Sequence, residues 1–361
     1  MKDKDIKFDL NDIVLIPEVQ SEINSRCECS PYIMFEYTFD CLPLIASPMD
    51  TVVSLNNYKQ YIKNGIIPCL PRGQYGIPYY QHPLNNNFHY FQSFGLCEIE
   101  NQLKKYKTTT SLSKEEHAFF NFPYILIDIA NGNMIKLVSL IKEIKTLFPN
   151  IIIMAGNIAN PETFVILAQA GADYIRCSIG TGAGCTTAAN VAINYPLGSL
   201  INECYQKKIQ HGLYNTKIVA DGGMRNYSDI IKALALGCSY VMIGNLFNKA
   251  IESAGFNYLY GIKINDNIAK ILWRYNFPVK KKYRGMSTKA VQRSWGKSKL
   301  VTAEGITKYQ KVEYTLEQWT DNFKDYLKSA MSYTNAKTLE NFIGRTEFCR
   351  ISKNAYDRFN K

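Results

Sequence analysis

The sequence predicts an α/β fold of the TIM (β/α)8 barrel class. Three observations carry this expectation. Eight short apolar runs, rich in β-branched residues, recur along the chain. The stretches between them space their apolar residues as helices do. Sequences rich in Gly, Asp and Asn follow the runs, where a barrel keeps its chemistry. Continuous apolar runs suit parallel strands buried on both faces. Repeated strand-then-helix units close into a barrel, with an open doubly wound sheet as the alternative.

The runs are residues 42–47, 65–70, 90–96, 124–129, 151–155, 174–177, 217–220 and 240–243. Over 133–148, Met134, Leu137, Ile141, Ile144 and Phe148 share one helical face. Pro161 suits the first turn of a helix over 161–170 and Gly171 its end; Gly237 ends 228–236 in the same way. Residues 1–41 form an N-terminal extension expected to cap the barrel floor. Residues 256–311 are expected to form a long lid loop over the barrel mouth. A helical pattern from Leu316 to Met331 follows as a C-terminal tail. The chain reads as one catalytic domain, 1–361.

Composition narrows the function classes. The N-terminus MKDKDIKFDL has no apolar core of a signal peptide. No apolar stretch approaches the roughly 18 residues of a membrane span. Ten cysteines and four histidines are scattered without zinc spacing. Free thiols in a reducing, cytoplasmic setting are expected. The net charge is +11, and residues 279–300 hold eight Lys or Arg with no acid. That run reads as a solvated loop or as attraction for a polyanionic small molecule. No nucleic-acid recognition motif stands beside it.

The loop after the sixth run, Gly180-Thr181-Gly182-Ala183-Gly184-Cys185-Thr186-Thr187, is the most informative sequence. Its glycines let the backbone turn tightly, aiming N–H groups at an anion or carbonyls at a cation. A helix beginning near Ala188 would favour thiolate at Cys185, a candidate nucleophile. Asp221-Gly222-Gly223 and Gly244-Asn245 end the seventh and eighth runs, where barrels often bind phosphate, and Asp221 suits ribose hydroxyls. Glu304 would bring a proton-transfer group to the cysteine if the lid folds over the mouth.

YILIDIANG (124–132), IMAGNIA (153–159), GADYIR (171–176), the glycine–cysteine loop, NYPLGSLINEC (194–204), VADGGMRNYSDIIKALALG (219–237), YVMIGN (240–245), YRGMS (283–287) and AEG (303–305) together resemble the IMP dehydrogenase/GMP reductase family. DLNDIVLIPEVQSEINSR (9–26) and PLIASPMDTV (43–52) resemble its opening segments. The regulatory CBS-pair insert common in the dehydrogenases is missing, and DIANG and IMAGNI read like the reductase versions; SPMDTV is nearer the dehydrogenase spelling. The resemblance implies that Cys185 attacks C2 of a guanine nucleotide, Thr187 and Glu304 assist ammonia release, and NADPH delivers hydride. It places Met49, Ala183, Asp221, Gly223, Gly244, Asn245, Met286, Ser287 and Gly305 at the substrate. Asp128, Asn131, Gly132 and Gly180 fall at the cofactor. Carbonyls of Gly180, Gly182 and Cys185 would hold a monovalent cation, K+. A homo-oligomer, a tetramer, is implied as well, acting on a purine nucleotide and not on nucleic acid or a membrane.

Several positions depart from the family pattern. Ala183 stands where the family writes serine, and Thr181 where it writes proline. Asn245 replaces a glycine or serine, Ala188-Ala189-Asn190 a basic run, and Val301 an arginine. These changes fall in the recognition shell, so dGMP or a modified purine nucleotide competes with GMP as substrate. An IMP dehydrogenase without its insert and a purine-nucleotide-binding protein without turnover are the other readings.

Overall fold

The computed structural model describes residues 6–74, 89–108, 122–294, 302 and 305–359. Eight parallel strands close into a barrel in chain order. They are β1 (Leu44–Ala46), β2 (Ile67–Leu70), β3 (Phe91–Phe94), β4 (Tyr124–Asp128), β5 (Ile152–Ile158), β6 (Tyr174–Cys177), β7 (Lys217–Asp221) and β8 (Tyr240–Ile243). Closure comes from Val241↔Leu44, Met242↔Ile45 and Ile243↔Ala46. Each strand coincides with one of the eight apolar runs. Every residue of β1, β2, β3, β6 and β8 is buried. This is the reason the sequences of β1, β2 and β8 are continuously apolar rather than alternating, while β3 buries Gln92 and Ser93 and β6 buries Arg176. β5 runs further than expected, so Gly156 and Asn157 lie inside it. The register with β6 shifts between Gly156 and Ile158, a bulge that re-aims Asn157.

The helices begin and end where local chemistry requires. Asn160 accepts from the Glu162 N–H at 2.9 Å, with Pro161 at the first helical position of Pro161–Gln169. Asn226 likewise caps Tyr227–Ala235 through the Asp229 N–H. Gly171 and Gly237 follow these helices with φ of +106° and +114°. The tail helix Leu316–Tyr333 starts at a capping box of Thr315 and Gln318. It buries Leu316, Trp319, Phe323, Leu327 and Met331 along one face, with the Trp319 ring 5.1 Å from both Phe247 and Tyr227.

The N-terminal extension does cap the floor. A hairpin of Ile33–Phe35 and Phe39–Cys41 sets the Phe35 ring 5.0 Å from Tyr124 and 6.0 Å from Phe91. The Tyr174 hydroxyl bonds the Glu36 carboxylate. Tyr124, Tyr174 and Tyr240 open β4, β6 and β8, so aromatic rings close the end of the barrel remote from the glycine loop. Ile13–Leu15 pairs with Phe348–Arg350 and ties the two chain ends together.

The described residues of 256–311 are not the long loop expected. They fold into an antiparallel sheet of β9 (Asn257–Leu259), β10 (Ile262–Ile264), β11 (Lys280–Arg284) and β12 (Thr307–Lys311) in the order β10-β9-β11-β12. A helix, Asp266–Arg274, connects β10 to β11. The basic run thus begins as a strand, and alternation splits its lysines between two faces. Lys281 faces inward, is 1% exposed, and donates to the Ser253 carbonyl at 2.6 Å.

Burial lowers the Lys281 pKa to about 8, against a partial opposing pull from Asp266 and Glu252. The unfolded chain then binds more protons than the fold between about pH 8 and the ordinary lysine value near 10.4. Lys281 therefore makes the wild type gain stability relative to Lys281→Met as pH rises through that window, by on the order of 3 kcal/mol. Urea midpoints of the two proteins at pH 7.5, 9 and 10.5 test this; parallel curves would refute it.

Candidate active site

The C-terminal ends of the strands open into a cavity of about 370 Å³. Ser47, Pro48 and Met49 follow β1, Arg72 follows β2, and Asp128–Ala130 end β4. Asn157, Arg176 and Asp221 enter from β5, β6 and β7. The glycine–cysteine loop, Tyr283 of β11 and Gly285, Met286 and Ser287 just after it complete the walls.

Cys185 sits on this wall, half-buried, with its N–H bonded to the Gly182 carbonyl at 2.8 Å. A five-residue helix, Thr187–Val191, begins just beyond it, as expected. Cys185 Sγ and Thr187 Oγ1 are hydrogen-bonded at 3.1 Å. Close approach requires Gly180 and Gly184 in the loop and Gly285 opposite it. A Cβ on Gly180, whose φ is +79°, would fall 2.7 Å from the Ala188 nitrogen. One on Gly285 would fall 2.4 Å from the Gly184 carbonyl oxygen. That close approach lets the lid sheet reach the loop. Ile306 N–H donates to Gly184 O at 3.0 Å, Gly285 N–H to Ile306 O at 2.9 Å, and Gly305 forms a β-bridge with Cys185. The lid segment is therefore stitched to the nucleophile loop. Glu304 lies outside the described residues.

Beside the cysteine lies a network that sequence reasoning missed. Arg176, 5% exposed, donates from Nη1 to Asp128 at 2.7 Å and from Nη2 and Nε to Asp221 at 2.8 and 3.2 Å. Asn157 Nδ2 donates to the same Asp221 oxygen at 2.7 Å. Arg72 pairs with the other Asp128 oxygen at 3.3 Å. Two arginines thus meet the carboxylate of Asp128, and one of them also meets Asp221. Burial alone would lower the Arg176 pKa, but Asp221 and Asp128 outweigh it and the net shift is upward. Asp221 is therefore less free than expected: Oδ2 accepts from Asn157 and twice from Arg176, and among the described residues no protein donor reaches Oδ1.

Of the residues expected at the phosphate end, Gly244 lies beside Tyr283. The Tyr283 hydroxyl donates to Met49 Sδ at 3.7 Å, and a Cβ on Gly244 would lie 3.6 Å from it. Burial, then the nearby Asp221 and Cys185, push the Tyr283 pKa up, so the hydroxyl stays protonated and available as a donor. Gly222 and Gly223 both take positive φ, +81° and +83°, against the Thr181–Gly182 turn. Thr181 bonds Ser178 and donates to the Asp221 carbonyl at 3.4 Å, bracing the loop on β7. Asn245 Oδ1 is buried with no donor among the described residues. A flip of that amide turns Nδ2 into the same place.

Of the residues expected at the site, Cys185, Thr187, Met49, Asp221, Met286, Ser287, Asp128, Gly180 and Gly182 line the cavity. Ala183, Gly223, Gly244, Asn245 and Gly305 lie behind or beside its walls. Asn131 and Gly132 serve the backbone. Asn131 Oδ1 accepts from the Asn133 N–H at 3.1 Å, and the Gly132 N–H donates to the Asn157 carbonyl at 2.7 Å. Among the described residues no cluster of three His, Cys, Asp or Glu could hold a metal ion, and no helix is long and apolar enough to cross a membrane.

The model of the IMP dehydrogenase / GMP reductase domain matches residues 118–358. The chain is 30% identical over 376 aligned residues to GMP reductase of Buchnera aphidicola subsp. Schizaphis graminum (strain Sg), covering 99% of this chain and 98% of the relative. Identity is 28% to GMP reductase of Onchocerca volvulus, covering 98% and 93%, and 27% to GMP reductase 2 of Homo sapiens, covering 97% and 96%. A family match over most of the chain, on a barrel whose glycine loop carries a cysteine into the cavity, places this protein in the IMP dehydrogenase/GMP reductase family of oxidoreductases.

Proposed function

We propose that the protein reductively deaminates a guanine nucleotide, GMP or a close analogue such as dGMP, to the hypoxanthine nucleotide with NADPH as reductant. The observation that carries this reading is Cys185 Sγ in the cavity wall, 3.1 Å from the Thr187 hydroxyl. The thiolate adds to C2 of the base. Thr187 and Glu304 pass a proton to the departing amine, ammonia leaves, and a thioimidate remains on Cys185. NADPH, when bound, supplies the hydride that C2 accepts as the C–S bond breaks and the thiolate is restored.

The residues present fit both ligands. Ile129, Ala130, Ile179 and Met286 give the cavity an apolar wall for flat rings. Asp128, held by two arginines, stands at the nicotinamide end, and Asp221 Oδ1 remains for the ribose. The phosphate is met by the Tyr283 hydroxyl and by the turns at Gly223, Gly244 and Asn245, where Ala183 offers no side-chain donor. A monovalent cation on the carbonyls of Gly180, Gly182 and Cys185, a cytoplasmic setting and a homotetramer belong to the same reading. At Gly182 the cation would use the carbonyl lone pair that the Cys185 N–H leaves free.

A panel of purine nucleotides and nucleosides tests the reading, with NADPH oxidation and ammonia release followed together. Guanine nucleotides are expected to release one ammonia per NADPH, and nucleosides to react poorly. Turnover of IMP with NAD+ and none of GMP with NADPH would reverse the direction. Capture of Cys185 by a 2-halopurine nucleotide without any turnover would make the protein a binder.

A further inference from the structure

The lid sheet has a second face that the barrel does not use. Register places Lys263, Tyr258, Lys280 and Lys311 side by side across all four strands, through the pairs Tyr258↔Lys263, Tyr258↔Lys280 and Lys280↔Lys311. The next row holds Phe256, Lys282 and Tyr309, from the Lys282 N–H on the Phe256 carbonyl and the pair Lys282↔Tyr309. Residues directly opposite in a sheet share a face. The intervening residues Lys281, Tyr283 and Gln310 are buried against the rest of the molecule, so these two rows point outward.

Cations and rings alternate on this face. Lys263 Nζ lies 3.5 Å from the Phe256 ring centroid, and the Tyr258 and Tyr309 rings meet edge-on at 4.9 Å. Phe256 and Tyr309 are 55% and 53% exposed, and Lys263, Lys280 and Lys311 are exposed. The charge is unopposed. Asp266 accepts from Asn257, Asp50 from Arg284, and Glu313 pairs with Lys249. Among the described residues no carboxylate forms an ion pair with Lys263, Lys280, Lys282 or Lys311.

We propose that this face binds single-stranded nucleic acid, with phosphates against the four lysines and bases stacked on Phe256, Tyr258 and Tyr309. An acidic peptide would satisfy the lysines and leave the rings without a planar partner. A single strand offers both, because every base has a face to stack and every linkage a charge. The basic run carried no recognition motif as a sequence, since the alternation exists only once four separate segments pair. The face is turned away from the cavity, so the inference does not depend on which nucleotide reacts there.

The test is fluorescence anisotropy with the full chain and a short labelled single-stranded oligonucleotide. Its duplex, heparin and a poly-glutamate peptide serve as competitors, at low and moderate salt. Binding should favour the single strand. Lys280→Glu with Lys311→Glu should weaken it at least about tenfold and reduce the log–log salt slope by about 0.7 for each phosphate no longer neutralised. Tyr258→Ala with Tyr309→Ala should weaken it about tenfold with the slope unchanged. Thermal melting like that of the wild type in both variants establishes that they are folded. If they melt early, Tyr309→Ser and Lys311→Gln repeat the test singly. No binding at low salt overturns the proposal. So does stronger competition by the duplex, heparin or the peptide than by the unlabelled single strand, or an unchanged affinity in the tyrosine variants.

Discussion

Cys185→Ser is expected to lower the rate of guanine-nucleotide turnover by about 10³-fold or more, with nucleotide binding retained. The thiol is half-buried in the cavity wall and bonded to Thr187, and no other cysteine lines the cavity among the described residues. Of the remaining thiols Cys69 lies within the barrel, where burial pushes its pKa up to about 12 and leaves it no thiolate to offer. A serine hydroxyl keeps the size and the hydrogen bond to Thr187, so the change isolates nucleophilicity. Single-turnover kinetics and mass spectrometry give two readouts. The wild type mixed with substrate should show an adduct on Cys185 that the variant lacks. Near-normal turnover by the Cys185→Ser variant would remove the covalent mechanism from this chain.

How much of this was legible depended on whether the determining interactions were local. The barrel strands showed themselves because burial on both faces leaves mostly apolar residues, and helix ends because Pro161, Gly171 and Gly237 act within a few positions of themselves. The glycine loop was readable for the same reason: Gly180 answers to Ala188, a neighbour the chain brings back beside it within eight positions. The lid sheet was not, because the run Lys280–Arg284 has no apolar alternation and its register is set by partners in β9 and β12. Asp221 was visible as a strand-end carboxylate, but its engagement by Arg176 spans 45 residues and by Asn157 64. One signal did exist. Arg176 stands inside Tyr174–Cys177, a run otherwise suited to full burial, and a charge there requires a partner. The carboxylates ending the strands on either side of the cavity were the available ones.

Arg176→Leu is expected to destabilise the fold by about 3–5 kcal/mol and to abolish productive substrate binding. The guanidinium holds Asp128 and Asp221 together through three hydrogen bonds in a place where it is 5% exposed. A leucine fills comparable space and leaves two carboxylates facing each other, with Arg72 paired to Asp128. The two carboxylates then repel each other with no guanidinium between them. Denaturant midpoints of wild type and variant at neutral pH measure the deficit. Arg176→Lys retains one cation but not the fork that spans both carboxylates, and should recover part of the stability with little of the turnover. Removing Asp221 together with Arg176, as Asp221→Asn with Arg176→Leu, should restore more stability than Arg176→Leu has, because the repulsion goes with it. A single Arg176→Leu protein that melts with the wild type at neutral pH would show that the network contributes nothing to the fold, and that Asp128 and Asp221 keep their places without it.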